Sequence, residues 1–287
     1  MEVFEFKPFE GIALSPYESK KIINKEETTI NLGKDRGIIK CFGSELSIFF
    51  NNNLFKINKE ILEQHVNRRS VLLIDINQRY YEAEIRASNG YYKLVPLRSE
   101  RDVTLEINGI HMHRIKDVTP MEDAKRKVIL AKIKKGSKVL EIGTGLGYTT
   151  INSLKIGANE IITIEKDENV LWLAERNPWS KELLSEKVTI LLGNAFNVLK
   201  ELNEKFDNII HDPPRFSSNT SELYSQEFYD VLSNLLRHKG FLYHYTGEPG
   251  RAKGKNFYSK IVGKLRKSGF KVIYYDEKSM GILAMKI

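Results

Sequence analysis

The chain has 287 residues, 41% of them hydrophobic and 29% charged, which supports one large core or two smaller ones. It shows no secretory signal pattern and no apolar run of the ~18 residues that span a bilayer. Its one cysteine, Cys41, excludes an internal disulfide framework and a cysteine-based zinc site, so a cytoplasmic protein without membrane or metal partners is expected. The net charge of +8 is uneven, +1 over residues 1–120 and +7 over residues 121–287.

In chain order, residues 1–116 read as a strand-rich domain. Leu46–Phe50, Val71–Ile76, Tyr80–Ile85, Tyr91–Val95 and Val103–Ile107 are short runs of β-branched, aromatic and other apolar residues. Polar turns such as Asn51-Asn52-Asn53 and Ser88-Asn89-Gly90 divide them. Tyr80–Arg86 and Tyr91–Val95 about the second turn read as one hairpin. Glu60–Val66 is predicted as a helix between strands. Thr119 is placed to cap a helix from Pro120 to Ile133, with Glu122 and Asp123 in its first turn. A second domain, residues 117–287, is expected to begin there.

From Lys138 the pattern alternates between strand and helix. The predicted strands are Val139–Ile142, Glu160–Glu165, Val188–Leu192, Phe206–His211, Gly240–Tyr245, Phe270–Tyr275 and Ile282–Lys286. The helices between them are Thr149–Ile156, Glu168–Arg176, Phe196–Leu202, Ser225–Leu236 and Phe257–Ser268. Such alternation is the signature of a Rossmann-like α/β fold, a doubly wound sheet of seven strands covered by helices on both faces.

The chemistry gathers at the strand ends. Glu141-Ile142-Gly143-Thr144-Gly145-Leu146-Gly147 runs from the first strand of this sheet through a glycine turn into a helix. Glycines allow a ligand to lie close over the backbone, where a Cβ would block it. The turn resembles motif I of class I S-adenosylmethionine (SAM) methyltransferases, which implies Glu141, Gly143, Thr144, Gly145 and Gly147 as SAM-binding residues. Glu165 ends the second strand, where a carboxylate accepts from ribose hydroxyls, and Lys166 flanks the adenine by its stem. Gly193-Asn194-Ala195 follows the third strand; Asn194 is placed to accept from the adenine amino group, to cap the next helix, or both.

His211-Asp212-Pro213-Pro214-Arg215-Phe216 ends the fourth strand. Two prolines fix where Asp212 points, and a fixed acceptor can orient a nucleophile. The segment resembles motif IV, the (D/N)-P-P motif of nucleic-acid methyltransferases. Arg215 separates the prolines from Phe216, which departs from the amino-methylating families and lies closer to RNA C5-pyrimidine methyltransferases. Those need a cysteine nucleophile, and Cys41 is far upstream. At the fifth strand, His244 is a candidate base and Tyr245 a candidate stacking residue. Arg215, Arg251, Lys253 and Lys255 are candidates for substrate phosphates, and the late basic cluster also includes Lys260, Lys264 and Lys267 on one helix face. His111 and His113 share a strand face, too few ligands for a metal. Trp179 reads as a packing residue.

From His111 onward the chain resembles a family of archaeal class I SAM-dependent methyltransferases. The resemblance rests on Met112-His113-Arg114-Ile115-Lys116-Asp117, Gly143–Thr149, Asn177-Pro178-Trp179-Ser180, His211–Ser217, Glu222-Leu223-Tyr224-Ser225 and His244-Tyr245-Thr246-Gly247. It implies the fold and SAM as cofactor. The acceptor expected first is RNA, tRNA or rRNA, with the β-rich domain binding substrate or forming a homo-oligomer. A small molecule or protein acceptor is the alternative. Aminopropyl transfer from decarboxylated SAM and a non-catalytic nucleic-acid-binding role rank lower.

Overall fold

The alternating pattern after residue 138 folds as a single sheet in a computed structural model, which describes residues 2–97, 103–247 and 255–287, with Phe42, Lys255 and Asn256 described by backbone only. Two units divide the chain: Met1–Glu5, Met121–Glu168 and Ser185–Ile287 form one, Phe6–Pro120 and Asn169–Leu184 the other. The two units exchange segments: the start of the chain groups with the later residues, and 169–184 with the earlier ones.

The unit made mostly of early residues contains β2 (Gly11–Leu14), β3 (Ile38–Phe42), β4 (Glu45–Phe50), β5 (Asn53–Asn58), β6 (Leu72–Asp75), β7 (Tyr80–Glu82), β8 (Glu84–Ala87), β9 (Gly90–Pro96), β10 (Val103–Ile107) and β11 (Ile110–His111). They form three small antiparallel sheets, β2-β6-β7, β3-β4-β5 and β11-β10-β9-β8. Helices α1 (Pro16–Ile23) and α2 (Lys59–His65) complete it, around a core that includes Ile12, Leu14, Ile48, Phe55, Leu62 and Leu72. Ser15 and Glu18 form a reciprocal capping box at α1. The single predicted strand Tyr80–Ile85 is two strands in different sheets. Ala83 is the crossing point: its N–H donates to Val71 O at 2.8 Å and its carbonyl accepts from Leu94 N–H at 3.0 Å. It is fully buried, and its small side chain lets the backbone pass between sheets.

The other unit carries β1 (Glu2–Val3), α3 (Pro120–Leu130), β12 (Lys138–Ile142), α4 (Tyr148–Ile156), β13 (Glu160–Glu165), β14 (Val188–Leu192), α6 (Ala195–Glu201), β15 (Phe206–His211), α7 (Gln226–Leu235), β16 (Leu236–Tyr245), α8 (Lys255–Lys267), β17 (Phe270–Asp276) and β18 (Gly281–Lys286), with α5 (Glu168–Glu175) spanning the division. The strand order is β1-β14-β13-β12-β15-β16-β18-β17. β12 to β16 run parallel, and β18 is inserted antiparallel between β16 and β17. The sheet has eight strands rather than seven, because β1 pairs antiparallel with β14. Helix α3 stops at Leu130, short of Ile133, where Lys132 takes a left-handed φ of 59°. Leu140, Ile142, Ile164, Ile209 and Leu242 face one core with Phe228 of α7 and Leu265 of α8. Val139, Ile161, Ile210 and Tyr243 face the other with Val128 of α3. Both faces are therefore covered, as a doubly wound sheet requires. Among the described residues no helix is long and apolar enough to cross a membrane.

Candidate active site

The parallel strands end side by side, so the loops after β12, β13, β14, β15 and β16 converge on one edge of the sheet. Gly143, Gly145 and Gly147 all adopt positive φ, at 97°, 54° and 74°. At Gly143 a Cβ would lie 2.8 Å from the carbonyl oxygen of Asp212, so the turn rests directly against the Asp212-Pro213-Pro214 segment. Gly143 and Thr144 N–H donate to Ile164 O at 2.9 and 3.2 Å, and the Thr144 and Thr163 hydroxyls pair at 2.7 Å. These contacts tie the glycine turn to β13.

Glu165 gathers three backbone donors. Gly145 N–H reaches one oxygen at 3.0 Å, Lys166 and Asp167 N–H the other at 2.8 and 3.1 Å. Burial raises its pKa and those three N–H groups oppose the rise. A carboxylate accepts about four hydrogen bonds, so capacity for a further donor remains. Lys166 is exposed, Gly193 N–H bonds Glu165 O at 2.8 Å, and Ala195 starts α6. Asn194 is the N-cap of α6: its Oδ1 accepts from Asn197 N–H at 3.1 Å, and its amide donates to Glu222 at 3.2 Å. The capping role is visible directly.

Glu141 is buried, 1% exposed. The Thr150 hydroxyl on α4 donates to one of its oxygens, and the other oxygen has no hydrogen-bond partner. Burial pushes its carboxyl up to about 8, against the Thr150 bond. The carboxyl is thus held neutral at pH 7, with one buried oxygen left without a hydrogen-bond partner.

Strand parity separates the residues expected to act together. Side chains alternate along a strand, so His211 and Asp212 leave β15 on opposite faces. His211 stacks on Phe228 at 4.9 Å and on His244 at 4.4 Å, inside the α7 core. Asp212 turns to the α3 face. At the end of β16 the same parity sends His244 inward and Tyr245 toward Asp212's side. His244 is fully buried, its Nε2 paired with Tyr229 Oη at 3.0 Å. Burial drives its pKa down, to about 3, against the His211 carbonyl. A general base must present a nitrogen to its substrate; in this structure His244 presents none, and the geometry gives it a packing role.

Lys127, on α3, is the residue that sequence reading overlooked. Its ammonium lies 2.6 Å from Asp212 Oδ2, 3.3 Å from Asp123 Oδ2 and 5.2 Å from the centre of the Tyr245 ring. Its side chain is 11% exposed. Burial alone would depress its pKa, but the charge of Asp212 leads the groups that raise it above the ordinary lysine value. The Asp123–Lys127 spacing of four on one helix was readable as a pair; the third member, 85 residues away, was not.

The remaining candidates scatter. Pro213 is buried and Arg215 exposed. Phe216 packs edge-on against Tyr224 at 5.4 Å and near Phe257 at 4.9 Å, and the Tyr224 hydroxyl donates to Pro214 O at 2.7 Å, which pins the proline pair. Arg251 and Lys253 lie outside the described residues, as does the side chain of Lys255. Lys260 and Lys267 are exposed on α8, whereas Lys264 donates to Tyr224 O at 2.8 Å and is spent on the fold. Among the described residues no group of three or more His, Cys, Asp or Glu could hold a metal. A glycine turn with three positive φ angles that admits no Cβ at Gly143, a buried carboxyl oxygen without a partner and a strand-end carboxylate fit a ligand carrying a cation and a ribose, such as an S-adenosyl sulfonium nucleoside.

Residues 126–275 match the spermine/spermidine synthase domain. An uncharacterized protein of Methanocaldococcus jannaschii is 48% identical over 202 residues, 70% of this chain and 68% of that protein. A polyamine aminopropyltransferase of Thermoplasma volcanium is 27% identical over 141 residues, spanning 48% of this chain and about half, 49%, of the relative. The ribosomal RNA large subunit methyltransferase I of Tolumonas auensis is 28% identical over 124 residues, 42% of this chain and 30% of that protein. In fold, the crystal structure of spermidine synthase from Thermotoga maritima superposes with a TM-score of 0.54 at 17% identity, covering 72% of this chain and 74% of that one. The eight-stranded sheet thus has the class I methyltransferase architecture, with extra β-sheets from the early residues, and the chain belongs to the spermine/spermidine synthase domain family.

Proposed function

We propose that this protein transfers an alkyl group from an S-adenosyl sulfonium donor, and that the group is the methyl of SAM. The observation that carries the reading is the contact between the glycine turn and motif IV, where the Asp212 carbonyl oxygen lies 2.8 Å from the missing Cβ of Gly143. A donor over the glycines and an acceptor beside Asp212 would be neighbours across that contact. Gly143, Thr144, Gly145 and Gly147 would underlie the donor, Glu141 face its ammonium, Glu165 receive its ribose, and Lys166, Asn194 and Ala195 border its adenine. When bound, the donor supplies a methyl group activated by the sulfonium, so alignment is the main task left to the protein. Pro213 and Pro214 fix the backbone of Asp212, whose carboxylate and carbonyl accept from the nucleophile. Tyr245, on the α3 face with Asp212, would border the place for a planar acceptor.

The acceptor proposed first is RNA. The support is the charge of +7 over residues 121–287, the exposed Arg215, Lys260, Arg266 and Lys267, and the likeness to a ribosomal RNA methyltransferase. Aminopropyl transfer from decarboxylated SAM is the second reading, favoured by the family match over residues 126–275 and by the aminopropyltransferase relative. Two parallel incubations separate them: methyl-labelled SAM with cellular RNA, and aminopropyl-labelled decarboxylated SAM with putrescine. Label in RNase-sensitive material from the first alone supports the RNA methyl reading. Label in spermidine from the second replaces it.

A further inference from the structure

An aliphatic ammonium is gripped by two kinds of group, carboxylates and aromatic faces. Both stand at the acceptor side of this site, and both are already taken by a residue of the chain. Lys127 places its ammonium between Asp212 and Asp123, at 2.6 and 3.3 Å, over the ring of Tyr245 at 5.2 Å. It occupies the position that the reacting amine of a diamine or polyamine would need. Two carboxylates and one ammonium leave a single net negative charge, and the ammonium adjoins Asp212 itself. With two partners at short range and little exposure, Lys127 is costly to displace.

We propose that Lys127 is the specificity-determining residue of the acceptor site: it admits an acceptor whose reacting group is uncharged, as on a nucleobase, and turns away di- and polycationic amines. The inference rests on reading Asp212 as the acceptor-side residue. Its chemical logic is exclusion as well as attraction. A second ammonium brought to Asp212 would stand within a few ångströms of the first, and a neutral N–H donor pays no such penalty. A chain of the spermine/spermidine synthase family would in this way carry an internal cation that closes its acceptor site to polyamines.

Calorimetry with spermidine tests this on the full chain at low ionic strength. The wild type and Lys127→Arg, which keeps the charge, are expected to show no saturable binding at millimolar spermidine. Lys127→Gln is expected to bind it about 100-fold more tightly or better, the scale that one unit charge at this distance imposes near a protein surface. If the paired carboxylates unfold that variant, Lys127→Gln/Asp123→Asn removes the repulsion and is still expected to gain about 10-fold. Tight spermidine binding by the wild type overturns the inference, and so does the absence of any gain in the folded variants. SAM titrated into the wild type in parallel reads the donor site alone: failure there removes the proposed function, whereas failure of the spermidine series with SAM bound removes only the role of Lys127.

Discussion

Replacing Glu141 by Gln tests the electrostatics of the donor site with little change of shape. In the free protein the Glu141 carboxyl is pushed up to about 8 by burial, so at neutral pH it is ~0.9 protonated. A ligand ammonium beside it favours the ionised form, and binding then expels the proton. SAM binding at pH 7 is therefore expected to release ~0.9 proton per site. Titration calorimetry in buffers of different ionisation enthalpy measures that number as a slope. Glu141→Gln has no proton to lose, and its slope is expected to fall to near zero. The same group shapes stability. Its folded value lies above its ordinary 4.5, so the folded state holds the proton more tightly than the unfolded chain. The Glu141 contribution is greatest below the ordinary value and falls by up to ~1.4 kcal/mol per pH unit as the pH rises toward about 8. The Gln variant should lack that component. Equal proton release by both proteins, or none by the wild type, refutes the assignment of Glu141 to the donor cation.

Gly143→Ala should cost ~1–2 kcal/mol for the left-handed backbone, plus the clash with Asp212 O, and should abolish SAM binding; a thermal melt near that of the wild type with unchanged affinity contradicts it. Asp212→Ala is expected to lower turnover ~100-fold with SAM still bound, and near-normal turnover removes Asp212 from the reaction. His211 has no hydrogen-bond partner for either ring nitrogen and burial holds its pKa well below the ordinary value, so His211→Phe should leave stability within ~1 kcal/mol or raise it, as denaturant unfolding will read. On α8, Lys260→Glu with Lys267→Glu should weaken RNA binding and flatten its salt dependence by ~0.7–0.9 per lost phosphate contact, whereas Lys264→Glu should instead lower the melting temperature, since Lys264 caps Tyr224 O.

The strands of the parallel sheet were legible because each is a short apolar run closed by a turn residue, and their ends were legible because Gly143, Glu165, Asn194 and Asp212 are polar or flexible where apolar runs stop. What escaped was long-range or two-sided. β1 is only two residues long and has no pattern of its own. The run from Tyr80 carries no break in hydrophobicity at Ala83, although the chain changes sheets there. β16 is covered on both faces, so alternation told His244 from Tyr245 but not which one turned toward Asp212. Nothing in the sequence sets Lys127 apart from the other charges of its helix; only the fold brings Asp212 to it.

A crystal structure of the protein soaked with SAM at neutral pH tests the central claim most directly. The account predicts the ribose hydroxyls on Glu165, the ammonium within hydrogen-bond reach of Glu141, and the sulfonium methyl directed at Asp212 on the α3 face of the sheet, with Lys127 still paired to that carboxylate. SAM bound elsewhere, or with its methyl turned toward the α7 core and His244, would contradict it.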